Sequence, residues 1–260
     1  MEDKEQRHFV LVHGACHGAW CWYKVASLLK LAGHKVTALD MASSGRNPKQ
    51  VKDVHSFSEY FEPLMEFMTS LPAEEKVILV GHSMGGPCIS AAMERFPEKI
   101  SAGVFAAAFM PGPDLSYLTI KAEYDKQVND YLDPELTFDD GLNNPPTGFL
   151  FGPKGLSTFL YQLSPNEDLV LATLCMRPVP CRDLGGIQNV VITKEKYGSV
   201  PRIYVVCDQD KIVSEDLQRW MIKNNPTDEV KVINGSDHMP MFCKPQEMSS
   251  CLLEIAKKYV

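Results

Sequence analysis

A short apolar run, Phe9 to Val12, stops at His13-Gly14 and predicts a buried strand. Trp22, Val25, Leu28, Leu29 and Ala32 then recur at helical spacing, and Gly33 stands where a helix C-terminus favours glycine. Val36 to Leu39 predicts a second strand, stopped by Asp40. Phe57, Tyr60, Phe61, Leu64, Met68 and Leu71 form the stripe of an amphipathic helix. Ser56 and Glu59 have the spacing of a capping box, and Pro63 predicts a kink or a later start. Lys76 to Val80 is a third strand, followed by Gly81-His82-Ser83-Met84-Gly85-Gly86 and a helix through Phe96, and a fourth apolar run covers Ala102 to Met110.

Near-continuous apolar strands alternating with helices predict an α/β fold, a mostly parallel, doubly wound sheet covered on both faces. The alternation breaks over residues 112–188, which hold many of the prolines, scattered aromatics and methionines, and no strong strand signal. It resumes with a strand from Ile203 to Cys207, a helix from Ser214 to Lys223, a strand from Val230 to Ile233 and a helix from Gln246 to Lys258. The simplest organisation is one sheet domain, residues 1–111 with 189–260, carrying residues 112–188 as an inserted cap.

Composition narrows the functional classes. With 260 residues, 45% hydrophobic and 23% charged, the chain can bury a large core, and long disorder is excluded. Its 26 basic and 33 acidic residues leave a net charge of −7 with no basic cluster, which argues against a nucleic-acid partner. No apolar run approaches the roughly 18 residues of a membrane span. Met1 to His8 are polar and charged, unlike a signal peptide. The eight cysteines form no CxxC pair and read as reduced thiols of a cytoplasmic protein.

Gly81-x-Ser83-x-Gly85 matches a nucleophile elbow, in which a strand turns sharply into a helix and holds the serine on strained backbone. By composition alone such a match arises in about one chain of this length in ten. Its setting gives it weight: it follows an apolar strand, opens a helix, and has Pro87 in the first helical turn, where a missing N–H costs little. A serine needs a base oriented by a carboxylate. Of seven histidines only His238 follows Ser83, as the chain order serine, acid, histidine requires. The acid belongs to the end of the preceding strand, where Asp208 and Asp210 compete; Asp210, further from the strand, is favoured, with Asp208 as a solvated loop carboxylate. Two backbone N–H groups should meet the developing oxyanion, those of Met84 and of Ala15 in the loop after the first strand. His13 and His17 share that loop but lack the helix and glutamate of a zinc site, and no metal is expected.

The segments Val12-His13-Gly14-Ala15-Cys16-His17-Gly18-Ala19-Trp20, Gly33 to Asp40, Lys76 to Ser83 and Ser236-Asp237-His238-Met239 resemble the plant methylesterase family, from about residue 8 to residue 259. That family includes the salicylic-acid-binding and polyneuridine-aldehyde esterases, with hydroxynitrile lyases and methylketone synthase as relatives. The resemblance implies an α/β-hydrolase core, a cap over the active site, no cofactor, small methyl esters as substrates and a homodimer. It also implies Asp210 as the acid. The lyases carry threonine after His13 and lysine after His238, where this chain has Gly14 and Met239; the synthase replaces the nucleophile by alanine, where this chain has Ser83. Asn144-Pro145-Pro146-Thr147 and Leu163-Ser164-Pro165 look closest to the synthase. Phe109, Tyr131, Phe149, Phe151 and Met239 are the expected pocket walls, Tyr131 standing near where the esterases often have tryptophan. The function so read is hydrolysis of a small methyl ester through an acyl-enzyme on Ser83. The alternatives are a lyase or decarboxylase reaction in the same pocket and a small-acid binding protein.

Overall fold

The computed structural model describes residues 6–127, 130–182 and 191–259; the expected boundary at 188/189 lies outside them. Six strands form one parallel sheet: β1 His8–Val12, β2 Lys35–Leu39, β3 Val77–His82, β4 Ile100–Ala106, and, after the long insertion, β8 Arg202–Cys207 and β9 Glu229–Ile233. Their order is β2-β1-β3-β4-β8-β9, and all neighbours run parallel. β1 and β3 are buried at every residue, as strands covered on both faces should be. β9, at an edge, alternates between inward and outward residues.

The helices before the insertion follow the sequence signals, with local adjustments. α1 spans Tyr23–Leu31 and ends at Gly33, whose φ of +93° lets its N–H and that of His34 return to Lys30 O and Leu29 O. The stripe over 57–71 folds as two helices, α2 Phe57–Tyr60 and α3 Glu62–Ser70, with the later start that Pro63 predicts, since proline is tolerated in a first turn. Ser56 Oγ caps Glu59 N–H at 3.2 Å, while the Glu59 carboxylate takes the N–H of His55 rather than that of Ser56. α4 covers Gly85–Arg95. The fourth apolar run is strand only to Ala106. Ala107 turns with φ +43°, and the buried residues up to Met110 form a loop beneath α4.

The insertion holds structure that its sequence did not announce. It contains α5 Tyr117–Asp125, a small antiparallel sheet of β5 Glu135–Thr137, β6 Gly148–Leu150 and β7 Val179–Pro180, then α6 Pro153–Gly155 running into a wide turn over Leu156–Leu160, and α7 Asn166–Cys175. α8 Glu215–Asn224, capped by Ser214, and the helices α9 Pro240–Cys243 and α10 Pro245–Lys258 complete the chain. No helix among the described residues is long and apolar enough to cross a membrane.

Candidate active site

The sheet register decides what meets at its carboxyl edge. Val12 pairs with Gly81, so the His13–His17 loop lies beside the turn after β3; Cys207 pairs with Ile233, so the loop after β8 lies beside the one after β9. The crevice opens where the strand order reverses, between β1 and β3, the usual ligand position in such sheets.

Ser83 occupies the β3–α4 turn with φ +53°, a left-handed conformation that side chains rarely adopt. The flanking glycines make that turn possible. A Cβ on Gly81 would stand 2.7 Å from Gly85 O, and one on Gly85 2.8 Å from Val12 O. Ser83 O accepts the N–H groups of Gly86 and Phe109 at 3.0 and 3.2 Å, which binds the turn to the helix and to the loop after β4. Gly14 is needed for a second close approach, since a Cβ there would lie 2.8 Å from Ser83 Cβ.

His238 donates Nδ1–H to Asp210 Oδ2 at 2.7 Å, leaving Nε2 with the lone pair a general base requires. Asp210 Oδ1 accepts the N–H groups of Ile212 and Val213 at 2.7 and 2.9 Å, so the carboxylate is fixed at both oxygens. Asp208 is not a solvated bystander: its Oδ1 accepts the Gly235 N–H at 2.7 Å and that of Ser236 at 3.4 Å, shaping the loop that carries His238. His82 donates Nε2–H to His238 O at 2.7 Å and packs its ring 4.7 Å from the His238 ring. Burial drives the pKa of His82 well below the usual histidine value, and His17, buried and held by Ala15 O, is pushed down to about 3. Both rings beside His238 are therefore neutral at physiological pH.

Neither Ala15 N–H nor Met84 N–H donates to an acceptor among the described residues, and both residues face the cavity that Ser83 lines. The start of α4 adds its positive dipole end there. Ser83 Oγ makes no hydrogen bond among the described residues, so proton transfer to His238 requires the closer approach that such pairs adopt around substrate. Both nitrogens of His13 and of His17 are engaged by the protein, and among the described residues no cluster of three or more His, Cys, Asp or Glu could hold a metal.

A cavity of about 230 Å³ lies over Ser83 and His238. Phe109, Tyr131, Phe149 and Phe151 line it, as expected; Met239 does not. Met239 is fully buried in the core behind the site, and its N–H is held by Asp237 Oδ1 at 2.9 Å. Sequence reading missed Tyr117 and Tyr124 on α5, Ile212, and Val179 to Cys181 at β7. Tyr117, Ile120 and Tyr124 are spaced along one helix face, a signal strong enough to have placed α5 and its two tyrosines.

Four consecutive residues of the insertion touch the loops around the site. Tyr161 Oη lies 2.6 Å from His17 Nε2, Gln162 Nε2 donates to Gln209 O at 2.7 Å, and Leu163 N–H and Ser164 Oγ both donate to Asp237 Oδ2 at 2.9 Å.

The parallel sheet, the strained serine turn and the histidine–carboxylate pair define a hydrolase of the α/β class. The chain belongs to the alpha/beta hydrolase family, whose description matches residues 9–249. It is similar to Methyl jasmonate esterase 1 of Vitis vinifera, 58% identical over 259 residues and covering 99% of each chain. Salicylic acid-binding protein 2 of Nicotiana tabacum is 47% identical over 260 residues, covering 98% of this chain and 99% of that one. Among solved structures, a variant of tomato Methylketone Synthase I superposes with a TM-score of 0.95 at 49% identity, covering 98% of this chain and all of that one.

Proposed function

We propose that the protein is a serine carboxylesterase that cleaves the methyl esters of small plant metabolites. Ser83 Oγ attacks the ester carbonyl, His238 Nε2 takes its proton and returns it to the departing methanol, and Asp210 holds the imidazole in the required tautomer. The N–H groups of Ala15 and Met84 receive the oxyanion, each worth roughly 10²–10³ in rate by analogy with such donors. Water, activated by His238, then releases the acid. The observation that carries this reading is the buried Asp210–His238 pair at 2.7 Å beside a strained Ser83 on one apolar cavity. Residues 112–188 act as the cap that shapes the acyl site. Eight unpaired cysteines fit a cytoplasmic location. The partner is the small ester, with no nucleic acid and no membrane, and the chain works without cofactor or metal, as a homodimer.

A panel of methyl esters tests the reaction. One member should release methanol and acid in equal amounts, with acylated Ser83 captured by mass spectrometry, and Ser83→Ala should abolish both. Turnover of that variant within tenfold of the parent sinks the covalent mechanism. The likeness to Methylketone Synthase I supports one second reading, decarboxylation of a β-keto acid in the same cavity; carbon dioxide without methanol would identify it.

A further inference from the structure

The Gly14–Ala15 peptide, whose N–H the proposed function offers to the oxyanion, is held through its carbonyl side. His13 Nδ1–H donates to Gly14 O at 2.8 Å, and the backbone N–H of His17 donates to the same oxygen at 3.4 Å. In a trans peptide the C=O points away from the N–H, so these bonds set the direction of Ala15 N–H. His17 Nδ1–H donates to Ala15 O at 2.8 Å, so His17 grips the peptides on both sides of Ala15. A carbonyl oxygen only accepts, which puts each imidazole proton on Nδ1 and leaves a lone pair on Nε2. The His13 lone pair takes Met41 N–H at 3.1 Å, from the chain after β2. The His17 lone pair takes Tyr161 Oη–H at 2.6 Å, from the insertion, and meets no other donor among the described residues. The two ring planes differ by 14° with centroids 5.9 Å apart, an end-on arrangement that aims the O–H along the lone pair. Tyr161 is buried, packs on Phe242 at 5.6 Å between centroids and does not line the cavity, whereas His17 does. Without the phenol the His17 proton is free to move to Nε2, and Nδ1 would then confront Ala15 O as a second acceptor.

We propose that Tyr161 is a positioning residue for the reaction: its hydroxyl selects the His17 tautomer that grips Ala15, and so aims the Ala15 N–H at the developing oxyanion. This rests on the esterase reading above and gives the insertion a part in the chemical step, apart from any shaping of the cavity. A donor of this kind acts only where charge develops, so its misalignment is felt in the transition state and not in the binding of a neutral carbonyl.

The probes are p-nitrophenyl acetate for turnover, and trifluoroacetophenone and acetophenone for binding. On the fluorinated ketone Ser83 Oγ bonds to the carbonyl carbon, its proton passes to His238 Nε2, and the carbonyl electron pair settles on the oxygen as an oxyanion; acetophenone stays a neutral ketone. Tyr161→Phe keeps the ring on Phe242 and removes only the hydroxyl. In the full chain it should lower kcat about tenfold, the effect of one hydrogen bond, with KM within twofold. It should weaken trifluoroacetophenone by the same factor and leave acetophenone unchanged. Added to His17→Ala, the same substitution should have no further effect on kcat, since the group it acts through is gone. NMR of the imidazole nitrogens should show His17 wholly as the Nδ1–H tautomer in the parent and as a mixture in Tyr161→Phe. An Nε2–H tautomer in the parent, equal weakening of both ketones, or a full further loss on top of His17→Ala overturns the proposal. A parent inert toward both the ester and the fluorinated ketone overturns the esterase reading and this proposal with it, whereas an active parent that Tyr161→Phe matches overturns the proposal alone.

Discussion

Asp208 and Asp210 stand two residues apart and do different work. Asp210 meets the imidazole, whereas Asp208 meets only backbone N–H groups of the loop that presents it. Asp210→Asn should therefore lower kcat by about 10⁴, through the wrong imidazole tautomer. Asp208→Asn keeps an acceptor oxygen and should remain near the parent rate. Asp208→Ala should lower stability by about 1–2 kcal/mol as the Gly235 N–H loses its partner. Steady-state kinetics and thermal unfolding of the three variants check this, and a larger kcat loss at Asp208→Asn than at Asp210→Asn would exchange the two roles. The choice between these aspartates could be argued from the sequence, but Asp208's partners lie 27 and 28 residues away, beyond what local spacing shows. Met239 was misplaced for a related reason: its neighbour His238 faces the cavity, and the chain's next side chain goes into the core.

At the scale of elements, Tyr161 to Ser164 join the insertion to the loops that carry Ala15, Asp210 and His238. Asp237 is fully buried, with one oxygen on this segment and the other on Met239 N–H. Asp237→Ala strips three donors of their acceptor at once and should cost about 2–4 kcal/mol, with a fall in kcat as His238 loses its support. Ser164→Ala removes one of those bonds and should cost about 1 kcal/mol. Urea midpoints and kcat for the pair measure it; equal effects of the two changes would show that Asp237 does not act as the common anchor. Among the sheet strands, β1 and β3 were legible as runs of buried, mostly apolar residues. The strands of the insertion have two or three residues, too few to show alternation, and they are set by pairing across it. The fourth apolar run misled at its end: residues 107–110 leave the strand ladder after Ala107 N–H meets Val205 O and are buried instead against the start of α4, the Tyr204 hydroxyl and Met221.

For the whole molecule, His8, His13, His17 and His82 are buried with lowered pKa values, chiefly through desolvation. Unfolding returns each to about 6.5. Below that pH the unfolded chain binds protons that the folded chain refuses, so stability falls as pH drops from about 6.5 toward the folded value, about 3 for His17. Between pH 7 and pH 5 each can contribute up to roughly 2 kcal/mol of loss. Denaturant unfolding at the two pH values should show a lower midpoint at pH 5, and His17→Gln should reduce the difference. An unchanged midpoint would mean that these rings accept protons in the folded state.

The contacts of Tyr161 to Ser164 also bear on how such proteins diverge. Leu163 and Ser164 of the insertion share the buried Asp237 carboxylate with Met239 N–H, the residue after His238, so neither segment drifts alone. On the proposed function, an insertion inherited from another lineage would bring its own version of this segment to Asp237, Gln209 and His17, and a mismatch there should appear as slow chemistry rather than as altered preference. New specificities then arise more readily from changes at the cavity wall, Tyr131 and Phe149 among them, than from exchange of the cap as a block.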